Sequence, residues 1–147
     1  MNSDRSGECL FCKLLAERDD EKNWILHRGD HCFVIINTYP YSNGHVMVVC
    51  NRHVDRFAEL SPQESVELME MVSLCEKAVF DSYKPGGINM GANLGRSAGA
   101  GILGHLHVHL VPRWQGDTNF MTAVGETRVV SEDLAETCKR LKPYFKS

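Results

Sequence analysis

The chain has 147 residues, 43% of them hydrophobic and 24% charged, a balance that fills an ordinary core and excludes a disordered or fibrous polymer. A net charge of −3 excludes a broad basic surface for duplex nucleic acid but leaves room for a small anion held by a few local donors. The polar start Met1-Asn2-Ser3-Asp4-Arg5 lacks a signal-peptide core and no apolar run reaches membrane-spanning length, so one cytoplasmic domain over residues 1–147 with no membrane partner is expected.

Residues 8–18 carry Leu10, Leu14 and Leu15 at helical spacing and predict a short amphipathic helix. Residues 24–27 and 32–36 are β-rich runs around a Gly-Asp turn and predict a hairpin. After a polar turn at 40–44, residues 45–49 predict a further strand. Ser61 reads as an N-cap, with Pro62 in the first helical position and Glu64 completing a capping box. Val66, Met69, Val72, Val79 and Phe80 carry this helix to Tyr83, where Lys84-Pro85-Gly86-Gly87 stops it. Residues 88–90 predict a short strand, 91–104 a loop with five glycines, and 106–111 a strand. Ser131 then caps a final helix through Leu141. Strands grouped with two or three helices, without βαβ alternation, predict an α+β fold with an antiparallel sheet.

Of the six cysteines, Cys32, Cys50, Cys75 and Cys138 sit in apolar segments and read as small buried hydrophobes. Cys9 and Cys12 form a C-x-x-C instead, which alone fits either reduced core cysteines or a pair of metal ligands.

Three of the seven histidines form His105-Leu106-His107-Val108-His109. Residues two apart on a strand share a face, so three imidazoles line one side while Leu106, Val108 and Leu110 bury the other. Such a face suits either zinc, for which neutral imidazole is a good ligand, or nucleophilic attack on phosphorus. The small residues of 91–101 would let backbone amides approach an anion closely, which favours the second.

The stretch His105-Leu106-His107-Val108-His109-Leu110-Val111 resembles the signature of the histidine triad (HIT) family, with further matches at Asn37, Pro40, Gly44-His45 and Pro112-Arg113. The likeness runs from about Cys9 to Lys139. Residues 111–121 place it near the diadenosine-polyphosphate hydrolases and phosphorylases, the fragile-histidine-triad-like branch, rather than the phosphoramidases. The resemblance implies a HIT-like α+β fold, a roughly five-stranded antiparallel sheet with two main helices that pairs with a second copy into a larger sheet. It implies a nucleotide hydrolase or nucleotidyltransferase acting on a dinucleoside polyphosphate. His107 would be the nucleophile, His109 would contact phosphoryl oxygens and assist the leaving group, and His45 and His105 would support the cluster. Asn37 would lie near the ribose, Asn93 and Ser97 near the phosphates, and Phe33 against the base or in the core. Where many relatives carry a polyphosphate-contacting glutamine, this chain has Gly101, which leaves Arg96, Ser97 or backbone amides for that contact. A histidine at 109, where some phosphorylases of the superfamily carry glutamine, leans toward hydrolysis.

Some bacterial members are similar in pairing a C-x-x-C with two histidines, here His53 and His105. The resemblance therefore implies a structural zinc on Cys9, Cys12, His53 and His105, no organic cofactor, and magnesium only as a companion of the nucleotide. Leu68, Met69 and Met71 fit a core or dimer face, Trp24 and Trp114 fit packing, and Arg113 fits a phosphate contact or a surface ion pair. A phosphoramidase, a nucleotide-binding signalling protein with negligible turnover, and a zinc enzyme using the three triad histidines as ligands are the competing functions.

Overall fold

The computed structural model describes residues 9–38, 43–99, 104–116 and 132–145. Its strands are β1 (Ile25–Arg28), β2 (Cys32–Ile36), β3 (Val46–Cys50), β4 (Gly87–Gly91) and β5 (His107–Arg113). They lie in the order β1-β2-β3-β5-β4 with every neighbouring pair antiparallel, so the α+β expectation holds. The histidine strand is inserted between β3 and β4 and is paired on both sides. The helices are α1 (Leu10–Glu17), α2 (Asp20–Asn23), α3 (Pro62–Tyr83) and α4 (Leu134–Leu141).

β2 and β3 are apolar at every position because both of their faces are covered. One face, with Val34, Ile36, Val46, Val48, Val108 and Leu110, packs under α3 and the C-terminal segment. The other, with Phe33, Ile35, Met47 and Val49, packs under α1 through Phe11 and Cys9. Cys32, Cys50 and Cys75 are fully buried as expected, while Cys138 is only half-buried.

α3 has the predicted start: the Ser61 hydroxyl accepts from Glu64 N–H, and the Glu64 carboxylate accepts from Ser61 N–H. Lys84, with φ 49°, ends it in the left-handed region. Its buried face needs correcting. Val66 and Met69 are 57% and 62% exposed and Phe80 is 37% exposed, while Leu68, Met71, Val72, Cys75, Ala78 and Val79 enter the core. Helical phase, not apolar type alone, selects the buried face, and small side chains such as Cys75 and Ala78 lie on it. The last helix is capped by Asp133, whose carboxylate accepts from Glu136 N–H. Ser131, Pro40, Gly101 and residues 117–121, which entered the sequence reading, lie outside the described residues. No helix among the described residues is long and apolar enough to cross a membrane.

Candidate active site

β5 pairs Val49 with His107 and Met47 with His109, so both imidazoles emerge on the face covered by α1. His107 Nδ1 lies 2.8 Å from the carbonyl oxygen of His105. A carbonyl can only accept, so Nδ1 carries the proton and Nε2 keeps its lone pair. Burial lowers the His107 pKa against an opposing contribution from that same carbonyl, which favours the neutral ring a nucleophile requires.

His45, the residue preceding β3, places Nε2 3.0 Å from His109 Nδ1, and its backbone carbonyl accepts from Asn37 N–H at 2.9 Å. The Asn37 side-chain nitrogen lies 3.5 Å from the same His45 nitrogen. Burial, then the nearby His109, pushes His45 down to about 4. His109 is lowered by burial first and by His107 second. The rings of His107 and His109 are 5.0 Å apart. When His45 donates its Nε2 proton to His109 Nδ1, the far nitrogen of His109 is left as a donor for an oxygen anion. The cluster thus offers a lone pair and a hydrogen-bond donor side by side, the two groups an attack on phosphorus needs.

His105 faces elsewhere. Its Nε2 donates to the Cys50 carbonyl at 2.6 Å, so its Nδ1 lone pair turns to the start of α1. There Nδ1 lies 3.2 Å from Cys9 Sγ, 3.5 Å from Cys12 Sγ and 3.2 Å from His53 Nδ1, and Cys12 Sγ lies 3.4 Å from His53 Nδ1. All four ligand atoms fall within 4.8 Å of one another. Atoms bound about 2.0–2.3 Å from one tetrahedral ion stand roughly 3.3–3.8 Å apart, so the set fits a single metal. The loop carrying His53 is held by Leu106 N–H donating to Val54 O, and by Arg52, which pairs with Glu64 and donates to Glu59 O. Arg52 and the Ser61 N–H in turn hold the Glu64 carboxyl down to about 2.

The remaining expected contacts are less gathered. Phe33 is fully buried with its ring edge-on to Phe11, so it serves the core and has no free face for a base. Asn93 and Ser97 stand exposed after β4, Ser97 within a 3-10 turn, and neither side chain bonds to the histidines among the described residues. Arg113 donates to Asn89 across the β4–β5 pair. Trp24 packs against the core and Trp114 is partly exposed. Sequence reasoning missed Phe11 and Arg52; the first had a signal, its position inside the C-x-x-C.

Residues 18–116 match the HIT domain, and the chain belongs to the histidine triad family. The AP-4-A phosphorylase of Mycobacterium tuberculosis is 39% identical over 140 residues, 95% of this chain and 71% of that protein. An uncharacterised HIT-like protein of Saccharolobus solfataricus is 32% identical over 77% of this chain and 79% of its own length. Among solved structures, a Zn-bound histidine triad family protein from Mycobacterium smegmatis superposes with TM-score 0.73 at 22% identity, covering 95% of this chain and 94% of that one. A hypothetical histidine triad nucleotide-binding protein from Sulfolobus tokodaii gives TM-score 0.73 at 25% identity, over 92% and 91%. Cys9 and Cys12 precede the span matched by the HIT domain.

Proposed function

We propose that the protein cleaves a dinucleoside polyphosphate of the diadenosine tetraphosphate kind through a covalent nucleotidyl-histidine on His107. The observation that carries this reading is the bond from His107 Nδ1–H to the His105 carbonyl, which leaves Nε2 unprotonated beside His109. The 39% identity to an AP-4-A phosphorylase supports the substrate class.

In the first step the Nε2 lone pair forms a bond to the α-phosphorus, and the P–O bond to the departing nucleotide breaks, its electron pair leaving with that oxygen. His109, held by His45, donates to a phosphoryl oxygen and offsets the charge that develops there. Asn37, beside His45, is positioned for the sugar. In the second step an oxygen of phosphate attacks the same phosphorus, the P–N bond breaks, and His107 regains its lone pair. Water in that role would release a proton and give hydrolysis. The phosphorylase relative favours phosphate, and the histidine at 109 favours water.

Cys9, Cys12, His53 and His105 would hold zinc, whose structural sites use this closed donor set. Bound there, the ion would cross-link α1, the loop after β3 and the start of the triad strand, and would supply no chemistry to the transfer. Magnesium would arrive on the polyphosphate. A homodimer paired along β4 and α3 would cover the exposed Met90, Val66, Met69 and Phe80; light scattering showing a monomer at micromolar concentration would exclude it.

Product analysis of diadenosine tetraphosphate, with and without inorganic phosphate, tests the reaction. AMP plus ATP without phosphate identifies a hydrolase, and ADP plus ATP only with phosphate identifies a phosphorylase. Either product set must vanish in His107→Asn. Turnover that survives this change, or no turnover at all, overturns the proposal.

A further inference from the structure

Phe11 lies between the two clustered cysteines, is 1% exposed, and is the buried residue of α1. Its ring centroid stands 5.0 Å from that of His107 at an interplanar angle of 61°, and 5.4 Å from that of His105 at 72°. On another side it meets Phe33 edge-on at 6.2 Å. The helix that carries it is tied down twice. Cys9 and Cys12 face His105, and Arg28, itself paired with Asp20, donates to the Leu15 carbonyl at 2.9 Å.

Among the described residues the His107 ring, by contrast, has one hydrogen bond to hold it, from Nδ1. Rotation by half a turn about the Cβ–Cγ bond would break that bond, put carbon where Nδ1 was, and move Nε2 away from its place. Resisting this takes a packed neighbour, and the aromatic ring anchored from outside the strand is Phe11.

We propose that Phe11 is a positioning residue for His107, through which the cysteine end of α1 sets the orientation of the attacking ring. The inference rests on His107 being the nucleophile. It goes further in making the two halves of the C-x-x-C turn part of the catalytic geometry as well as a metal grip.

The test compares Phe11→Leu and the milder Phe11→Met with Ile25→Ala in the metal-loaded full chain. Ile25 belongs to the same apolar cluster but lies on β1, separated from β5 by β2 and β3. Phe11→Leu should slow nucleotidyl transfer about tenfold or more, with KM held within about twofold and metal content unchanged. Imidazole resonances of His107 in long-range ¹H–¹⁵N spectra should move while those of His45 keep their positions. Phe11→Met should give smaller changes of the same kind, and it carries the test alone if Phe11→Leu does not fold. Ile25→Ala should lose stability with no change in rate or in the His107 resonances. Unmoved His107 resonances in the Phe11 variants, or an equal loss of rate in Ile25→Ala, would overturn the inference. A wild type without turnover would remove the proposed function, and the spectra would still decide whether Phe11 orients His107.

Discussion

His45 Nε2 and His109 Nδ1 stand 3.0 Å apart on neighbouring strands, close enough to share one proton and too close to hold two. The pairing converts two basic side chains into one neutral, directional unit beside His107.

A pH dependence of stability follows. An unfolded histidine takes up its proton near 6.5, whereas His45 in the folded protein does so only near 4. The folded state is therefore fully favoured above the unfolded value, and stability falls as pH drops through the window from 6.5 toward 4. The loss from His45 alone is about 3 kcal/mol. Urea midpoints measured across that range should decline with acid, and His45→Asn should flatten the decline. A midpoint indifferent to pH in the wild type would count against the buried neutral pair.

Metal removal should separate structure from chemistry. Chelation, or Cys12→Ser, is expected to lower Tm by roughly 10 °C, because a ligand that binds only the folded state adds directly to its stability. His107→Asn should keep its metal while losing turnover. Elemental analysis showing metal lost with His107 and retained without Cys12 would instead assign the ion to the triad.

Glu132 should behave as the hub of the C-terminal segment. Its carboxylate accepts from Tyr83 Oη, from Thr137 Oγ1 at 2.7 Å and from Arg140 Nε at 2.8 Å, and its own N–H donates to Asn43 Oδ1. Glu132→Ala should cost about 3 kcal/mol by stranding the partly buried donors. Adding Tyr83→Phe should then cost little more, a non-additivity that a double-mutant cycle in urea would read. Fully additive losses would mean the contacts are independent.

Gly44 is required by its surroundings. Its φ is +81°, and an added Cβ would lie 2.9 Å from Tyr83 Cε2. Gly44→Ala should cost about 2 kcal/mol and, through the adjoining His45, reduce turnover more than metal content. Wild-type rates in this variant would show that the turn is free to adjust.

Much of this was legible because the informative residues carried local signals. The capping box at Ser61 and Glu64, the alternation from His105 to His109 and the C-x-x-C each depend on neighbours a few positions away, and each has its counterpart in the folded chain. Other features depend on partners far along the sequence. The inward face of α3 is chosen by the sheet beneath it, so Ala78 and Cys75 are buried while the larger Met69 is not. Phe33 reads from sequence as a core residue that the family resemblance also makes a candidate base platform, and its partner Phe11 comes from α1. Glu132 has no motif at all, because its three donors come from α3 and from the helix that follows it.

The grip of Cys9 on His105 spans 96 positions, and the strand that brings His105 into place enters the sheet between two strands that precede it in the sequence. At common synthesis rates roughly 5–20 s separate the appearance of the first thiol from that of the imidazole it meets. β5 joins the sheet through β3 and is the partner of β4, so the β5–β4 half of the sheet waits on the last strand to be made. The Cys/His cluster, the triad and the completed sheet therefore all depend on the same late segment of the chain. Until that segment is made, Cys9 and Cys12 lack His105 and the four ligand atoms cannot gather.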